Sequence, residues 1–308
     1  MSKNKTIWVE EYLFHPKTPT QFLLSFFLLP FSLLYCFIVI FKRITSKKTD
    51  PNIPVVSIGN LTVGGSGKTP ITIALAKDYQ DVAIILRGYK RESFGLVLVS
   101  YRGEIKCDVK KSGDEAMEYA KTLPNATVIV SENRLKAIEY AKKLGCKVVF
   151  LDDGFSKSYI KKFDILIKPE IEPRLPFCLP SGAYREPKFM YRFADLVLKD
   201  GKDFTREVSI KNPTKKMVLV TGISKPQRLS KYLPKNLTGK VIFEDHHKYK
   251  KEELLEILKR YKATSILTTK KDAVKMEEFG LKLSVLELTI KIDETPKEKI
   301  KSFLSDFR

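Results

Sequence analysis

Apolar and polar residues alternate along the chain with two periods, and together they predict an α/β protein. Short apolar runs, such as Val55–Ile58, Val82–Leu86 and Val148–Leu151, are typical of buried strands. Stretches such as Arg134–Leu144 and Lys250–Arg260 repeat apolar residues at helical spacing. Because strand and helix patterns alternate, we expect largely parallel sheets with helices packed on their faces.

The same pattern predicts two α/β domains behind an N-terminal segment. Between Asp200 and Asn212 the pattern loosens into charged, turn-forming sequence, which we interpret as a connection. We therefore expect an N-terminal membrane-associated segment at 1–48, a core domain at 49–205 and a smaller C-terminal α/β domain at 206–308. A chain of 308 residues is long enough for each domain to bury its own core.

One uncharged apolar stretch, Phe22 to Phe41, predicts a membrane helix. A helix of that length is about 30 Å long, which matches the hydrocarbon core of a bilayer. Basic residues follow from Lys42 onward, so the positive-inside rule places this end in the cytoplasm. The stretch is too long for a cleaved signal peptide and unusually uniform for a buried core helix. It either spans the bilayer or lies in the interface, and Pro30 can kink it.

The segment after the first strand has the composition of a phosphate-binding loop. Its glycines allow backbone N–H groups to point into one concavity, where a helix N-terminus adds its dipole. In such loops the lysine, here Lys68, reaches the β- and γ-phosphates, and the hydroxyl of Thr69 is a ligand of Mg²⁺. The strict motif has glycine where Thr62 stands. The predicted nucleotide-binding residues are Gly64, Gly65, Ser66, Gly67, Lys68 and Thr69.

Two carboxylates, Asp152 and Asp153, follow a later apolar strand. A P-loop protein needs carboxylates opposite its lysine to hold the Mg²⁺ shell. We therefore predict that the core is P-loop NTPase-like and binds a nucleoside triphosphate with Mg²⁺. The predicted metal residues are Thr69, Asp152 and Asp153.

The formal net charge of +20 is compatible with a nucleic-acid partner. Attraction to an anionic membrane surface and a composition rich in lysine and glutamate are two other sources of such charge. No RNP, zinc-finger or helix-turn-helix motif accompanies the charge, so we expect no nucleic-acid partner. The four cysteines are widely spread without a CxxC motif, which argues against a disulfide framework and a structural zinc site.

A phosphoryl-transfer enzyme also needs a residue that positions or deprotonates the acceptor of the phosphoryl group, and this sequence offers few candidates. His246 follows a predicted strand and Asp245, so it is either a general base or a solvated loop residue. Asp114 stands at a predicted helix start, where an aspartate is more often a cap than a catalyst. Ser112 and Glu115 have the spacing of a capping box.

The chain resembles the tetraacyldisaccharide 4'-kinase family, the lipid A 4'-kinases of Gram-negative bacteria. The order and spacing of several motifs carry this resemblance along almost the whole chain. Besides the apolar N-terminal helix, the motifs are Ile58 to Pro70, Arg87-Gly88-Tyr89, Gly113-Asp114-Glu115, Asp152-Asp153-Gly154-Phe155, Arg185-Glu186-Pro187, Asp245-His246 and Thr268-Thr269-Lys270-Lys271-Asp272. After Asp-Gly-Phe the family usually continues with Gln-His, whereas this chain has Ser156-Lys157.

The resemblance implies a lipid kinase that moves the γ-phosphate of ATP to the 4'-hydroxyl of tetraacyldisaccharide 1-phosphate, forming lipid IVA. Its partners would be this lipid and the cytoplasmic face of the bacterial inner membrane. The implied catalytic residues are Asp114, His246, Lys68 and Arg185, with Asp114 and His246 activating the acceptor. Support for the substrate or the transition state would come from Tyr89, Glu115 and Arg134.

One alternative from another class is a membrane-anchored P-loop ATPase or GTPase that acts as a regulatory module. It keeps the nucleotide site but needs no acceptor base, so it would release phosphate without forming a phosphorylated lipid.

Overall fold

Helices and strands alternate along the chain in the computed structural model, which describes residues 3–64, 67–223, 226–235, 237–244 and 247–307. The α-helices are α1 (Lys3–Phe14), α2 (Pro19–Thr45), α3 (Lys68–Ala76), α4 (Val109–Ser112), α5 (Asp114–Thr122), α6 (Arg134–Lys143), α7 (Lys251–Arg260), α8 (Lys270–Met276) and α9 (Glu294–Ser305). The strands are β1 (Val55–Gly59), β2 (Val82–Leu86), β3 (Val97–Tyr101), β4 (Glu104–Ile105), β5 (Thr127–Val130), β6 (Val148–Asp152), β7 (Phe163–Ile167), β8 (Leu196–Leu198), β9 (Phe204–Lys211), β10 (Met217–Thr221), β11 (Leu237–Ile242), β12 (Ser265–Thr269) and β13 (Leu283–Ile292). The α/β class predicted from the sequence is confirmed.

The chain divides into two compact units, each assembled from separated segments. The first unit comprises Met1–Lys68, Val148–Thr205 and Ile292–Arg308, and the second comprises Thr69–Lys147 and Arg206–Lys291. The three consecutive domains predicted from the sequence stay a prediction.

In the first unit, parallel strands run in the order β6-β1-β7-β8. Every residue of β1 and of β6 is buried, as expected for parallel strands covered on both faces. Ile58 of β1 pairs with Asp152 of β6, so the segments that follow the two strands begin at the same edge of the sheet. This edge is where α/β proteins bind ligands.

Close packing beneath this edge requires a glycine after the two aspartates. A Cβ atom on Gly154 would lie 2.7 Å from the Cβ of Leu151 and 2.9 Å from the Cβ of Ser57. Both distances are shorter than a normal contact, so any side chain here would push β6 and β1 apart.

Helix α2 reverses the usual distribution of a surface helix, because its hydroxyl groups face the protein. Ser25 and Ser32 are buried and donate to the carbonyls of Ser181 and Cys178, both over 2.9 Å. The opposite face exposes large apolar side chains at Leu23, Phe26, Phe27, Phe31, Leu33, Leu34, Phe37, Ile38 and Phe41. By length and composition the helix is apolar enough to cross a membrane, and only 11% of its most apolar window is buried.

The second unit carries two sets of strands. In the first set, β2 pairs with β5 in parallel, β3 is antiparallel to β5, and β3 and β4 form a hairpin. The other set is a five-stranded sheet in the order β11-β10-β12-β13-β9. In this unit α5 packs against α8.

Two expectations about local structure are wrong, and one helix was not predicted. The predicted charged connection contains β9, because Phe204, Arg206, Val208 and Ile210 share one, more buried face and the charges hide this alternation. Ser112 does not cap α5: it ends α4, and Gly113 is the N-cap residue without a side-chain hydrogen bond. Helix α8 was not predicted, because its lysines interrupt the apolar period.

A buried ion pair anchors the start of β7 in the first unit. The ammonium of Lys162 lies 2.8 Å from a carboxylate oxygen of Asp164, and both side chains are almost fully buried. Asp164 also accepts a hydrogen bond from the hydroxyl of Ser57 on β1. Burial lowers the pKa of Lys162 and raises that of Asp164, so each charge depends on the other.

Replacing Asp164 by alanine should therefore destabilise the protein by about 3–5 kcal/mol, because it leaves the Lys162 ammonium buried without its counter-ion. The free energy of unfolding from urea titrations at pH 7 measures this loss. The double variant Asp164→Ala/Lys162→Met should recover most of it.

The matched control is Asp50→Ala, which removes the exposed partner of Lys161, 2.8 Å away in the same unit. An exposed pair contributes less than about 1 kcal/mol. An Asp164→Ala loss no larger than that of the control would contradict a buried pair.

Candidate active site

Four polar side chains of the first unit meet around Lys68, the residue that follows the glycine loop. The guanidinium of Arg185 binds both carboxylate oxygens of Asp153, over 2.9 and 3.0 Å. It also donates to the side-chain oxygen of Asn60 over 2.7 Å. The ammonium of Lys68 donates to that same Asn60 oxygen over 3.1 Å and lies 3.6 Å from Asp153. We call Asn60, Lys68, Asp153 and Arg185 the phosphate-loop cluster.

Backbone pairing holds Arg185 beside the loop that leads to Lys68. The N–H of Arg185 donates to the carbonyl of Leu61 over 2.7 Å, and the N–H of Val63 donates to the carbonyl of Ala183 over 2.8 Å. The hydroxyl of Tyr35 on α2 donates to the carbonyl of Arg185 over 2.9 Å. The backbone of Arg185 is therefore held by both the loop and the apolar helix.

The phosphate-loop cluster places two cations around one carboxylate. Burial alone would lower the pKa of Arg185, but the hydrogen bonds and charge of Asp153 raise it, so the guanidinium stays charged.

Gly64 and Gly67 have φ angles of 81° and 77°, which side-chain-bearing residues rarely adopt. The predicted phosphate residues Gly65 and Ser66 lie outside the described residues.

A cleft of about 280 Å³ opens beside this cluster, and its walls come from the first unit alone. It connects α2 to the cluster and contains the two residues that depart from the family pattern. The lining side chains are Tyr35, Val39, Lys42, Arg43, Asn60, Asp153, Phe155, Ser156, Lys157, Ser158, Arg185 and Glu186. Burial raises the pKa of Glu186, although Arg43, 2.8 Å away, opposes this shift.

The oxygen atoms near the loop fit Mg²⁺ better than a transition metal. Within the described ranges, no group of three or more His, Cys, Asp or Glu side chains could hold a metal ion by itself. Mg²⁺ in phosphoryl-transfer sites needs only one or two carboxylates and completes its shell with water and phosphate oxygens. Asp152 ends β6 and is buried, and Asp153 follows it beside Lys68.

In the second unit, Asp114 begins α5 after a glycine that no other residue replaces easily. Gly113 has a φ of 83°, and a Cβ there would lie 3.2 Å from the carbonyl oxygen of Tyr89. The Asp114 carboxylate lies 2.9 Å from the ammonium of Lys275 on α8. Asp245 and the predicted base His246 lie outside the described residues.

The three predicted support residues also belong to the second unit. Tyr89 is 61% exposed, and Glu115 is half-buried in the first turn of α5. Arg134 is buried at the start of α6, and its guanidinium donates to the carbonyl of Ser131. The structure therefore places Lys68, Asp153 and Arg185 together, and it places Asp114 in a separate network with Lys275.

Two members of these networks were missed by sequence reasoning. Asn60 follows β1 directly, and its side-chain amide also donates to the carbonyl of Thr62 over 2.7 Å. Its position at the end of a buried strand was a usable signal. Lys275 gave no local signal, because it is one lysine among many and its partner is distant in sequence.

Comparisons with known proteins agree with the motifs. The family model described as tetraacyldisaccharide-1-P 4'-kinase (LpxK) matches residues 24–214 and 204–306. The chain belongs to this family. Curated relatives named tetraacyldisaccharide 4'-kinase include the protein of Aliarcobacter butzleri, 53% identical over 100% of both chains. The protein of Campylobacter jejuni is 47% identical over 99% of this chain and 98% of its own.

A solved LpxK structure has the same fold as this family member. It is the LpxK of Aquifex aeolicus in complex with ATP, with a TM-score of 0.76 and 29% sequence identity. The match covers 91% of this chain and 99% of that one. The resemblance and fold predicted from the sequence are confirmed.

One buried acid of this LpxK family member should make its stability depend on pH. Glu118 on α5 is buried, and burial raises its pKa to about 7, with a further upward contribution from Glu115 and opposition from Lys270 and Lys271. A raised pKa in the folded state means that this group contributes full stability below pH 4.5, its unfolded value, and that the contribution is lost as pH rises through 7.

The variant Glu118→Gln should therefore be more stable than the wild type at pH 8, by up to about 3 kcal/mol, and nearly equal to it near pH 4.5. Urea unfolding at both pH values measures the difference. Glu139→Gln, on the exposed surface of α6, is the control and should change little at either pH. An equal effect of Glu118→Gln at both pH values would contradict the raised pKa.

Proposed function

We propose that this chain transfers the γ-phosphate of ATP to the 4'-hydroxyl of tetraacyldisaccharide 1-phosphate, which forms lipid IVA in lipid A biosynthesis. The observation that carries the proposal is the phosphate-loop cluster in a chain of this kinase family. There, Lys68, Asp153 and Arg185 meet at the carboxyl edge of the parallel strands of the first unit.

Charge placement in this cluster suits a triphosphate. In phosphoryl transfer the protein mainly positions the reactants and stabilises negative charge that spreads over the γ-phosphate oxygens. The backbone of the loop from Gly64 to Gly67 cradles the phosphates. Lys68 binds the β- and γ-phosphates, and Arg185 lies close enough to Lys68 and Asp153 to neutralise the developing charge.

Magnesium completes the cofactor set that we propose. The hydroxyl of Thr69 and the carboxylates of Asp152 and Asp153 would hold it. When bound, Mg²⁺ neutralises charge on the β- and γ-phosphate oxygens.

The acceptor must lose a proton as the new bond forms. His246, with an unperturbed pKa near 6.5, is suited to take the proton of the 4'-hydroxyl at neutral pH, and Asp114 orients and supports the imidazole. The 4'-oxygen bonds to the γ-phosphorus as the bond to the β-phosphate oxygen breaks, and ADP leaves. Tyr89, Glu115 and Arg134 are proposed to support the substrate or the transition state.

The distribution of hydrogen bonds along α2 favours an interfacial helix over a spanning one. Its hydrogen bonds to the rest of the first unit extend from Ser25 to Arg43, whose guanidinium donates to the carbonyl of Phe155 over 3.0 Å. Since one face is bound to protein along most of the helix, only the opposite face is available to lipid. We propose that this face holds the enzyme on the cytoplasmic side of the inner membrane, where its lipid substrate lies.

Transfer of labelled γ-phosphate from ATP to tetraacyldisaccharide 1-phosphate in detergent, with and without Mg²⁺, tests the proposed function. We expect Mg²⁺-dependent labelled lipid from the wild type. Lys68→Met should lower kcat by at least about 100-fold, because it removes a cation that stabilises the transferred phosphoryl group. Asp114→Ala and His246→Ala should each abolish transfer.

Lys77→Met is the matched control, since Lys77 is an exposed lysine one residue beyond the end of α3. It should leave kcat unchanged. Hydrolysis of ATP without labelled lipid would contradict the kinase and favour the regulatory ATPase.

Membrane attachment is tested by removing apolar side chains from the exposed face of α2. The triple variant Phe27→Gln/Leu34→Gln/Phe41→Gln should bind anionic lipid vesicles at least about tenfold more weakly, because it removes apolar surface from the membrane contact. Vesicle co-sedimentation measures the binding, and the affinity for ATP should not change.

The control variant changes three exposed apolar residues outside α2, Phe94→Gln/Ile171→Gln/Leu255→Gln. Equal vesicle binding by both triple variants would contradict attachment through α2.

A further inference from the structure

Lys275 on α8 is an almost fully buried lysine within a network of the second unit. Its side chain is only 8% exposed. Its ammonium lies 2.9 Å from the carboxylate of Asp114 on α5 and 3.9 Å from that of Asp272 on its own helix. It also donates to the backbone carbonyl of His247 over 3.3 Å and lies 5.9 Å from the ring centroid of Tyr249.

The neighbour Asp272 is itself fixed, so that it holds Lys275 in place. One carboxylate oxygen of Asp272 accepts hydrogen bonds from Thr221, Gly222 and Thr269, over 2.8 to 3.1 Å. Asp272 is fully buried. A buried ammonium retains its charge only beside compensating carboxylates, and its flexible stem is restrained here by packing.

Lys275 thus contacts two segments that the proposed mechanism needs. One contact is to the carboxylate of Asp114. The other is to the carbonyl of His247, the residue next to His246 in the sequence. A single cation therefore contacts both the Asp114 carboxylate and the backbone of the residue that follows the proposed base.

We propose that Lys275 is a positioning residue of the transfer reaction, which orients the Asp114 carboxylate and holds the backbone of His247, the residue that follows the proposed base. The inference rests on the proposed function and adds a residue that acts through Asp114 and this backbone. Lys275 would contribute by preorganising the site. If the Asp114 carboxylate and the proposed base His246 are misplaced, the reaction slows although the substrates still bind.

A second ion pair joins α5 to the residue that follows α8. It allows a purely structural role of Lys275 to be tested separately from its proposed role in positioning Asp114. Lys121 of α5 pairs with Glu277, which directly follows α8, and both side chains are partly exposed. Lys121→Met therefore removes a bridge at the same helix interface without touching Asp114. It is the matched control for Lys275→Met.

The experiment uses the full chain in detergent with labelled ATP and tetraacyldisaccharide 1-phosphate. Lys275→Met should lower kcat by about 10–100-fold while the KM for ATP stays within about twofold. Lys121→Met should keep wild-type kcat. Thermal melting and ATP binding report folding, and if Lys275→Met does not fold, Lys275→Gln replaces it with the same expectations.

The pH profile separates orientation of Asp114 from loss of packing. Without the cation 2.9 Å away, the negative charge of Asp114 acts uncompensated on the proposed base His246, so His246 should hold its proton to higher pH and the acid limb of kcat/KM, which this base sets, should move upward by about one pH unit. Asp114 also interacts with Tyr249, and Glu118, four residues later on α5, interacts with Glu115, Lys270, Lys271 and Asp272. Because the pKa of Glu118 is raised to about 7, both profiles are measured in the Glu118→Gln background.

Lower kcat together with a shifted acid limb supports the inference. It is overturned if Lys275→Met equals Lys121→Met in kcat, or if it loses melting temperature and activity with an unchanged acid limb. A wild type that labels no lipid would instead refute the proposed function. A fully active wild type with an equally active Lys275→Met refutes the inference alone.

Discussion

The bidentate pair between Arg185 and Asp153 is the interaction on which the candidate site depends. It joins the segment after β6 to the segment around residue 185, and through Asn60 it also joins the end of β1. Both carboxylate oxygens and two guanidinium nitrogens take part, so orientation and charge are fixed together. Lys68 completes the group, so that two cations, Lys68 and Arg185, lie within 3.6 Å and 2.9 Å of the Asp153 carboxylate.

The same arginine connects the phosphate-loop cluster to the apolar helix α2. Tyr35 donates to its carbonyl, and the neighbouring Glu186 pairs with Arg43 of α2. Serine hydroxyls complete this contact at Ser25 and Ser32, which leaves the large apolar side chains on the outer face. A helix that turns its polar atoms inward and its apolar atoms outward is suited to an enzyme whose substrate lies in a membrane surface.

The second unit uses buried charge differently. Lys275 lies between Asp114 and Asp272, and Glu118 is buried four residues after Asp114 on the same helix. A buried charge without a counter-ion lowers the stability of the folded protein. Buried charges that are paired in a fixed geometry can instead orient catalytic groups. Helices α5 and α8 therefore pack against each other and also hold the Asp114 carboxylate, which is proposed to act in catalysis.

By itself the sequence determined the α/β class, most strands, the apolar helix and the phosphate loop, because these follow from local periodicity and from glycines at fixed spacing. It did not reveal β9 or α8, since charged residues hide their periods. Only the tertiary structure decided which polar groups meet. Lys275 is 161 positions from Asp114 and Arg185 is 125 positions from Asn60, and such pairs form only when the chain folds. Local sequence patterns depend on residues that are close in sequence. The charge pairs of a buried site, in contrast, join segments that are far apart in sequence.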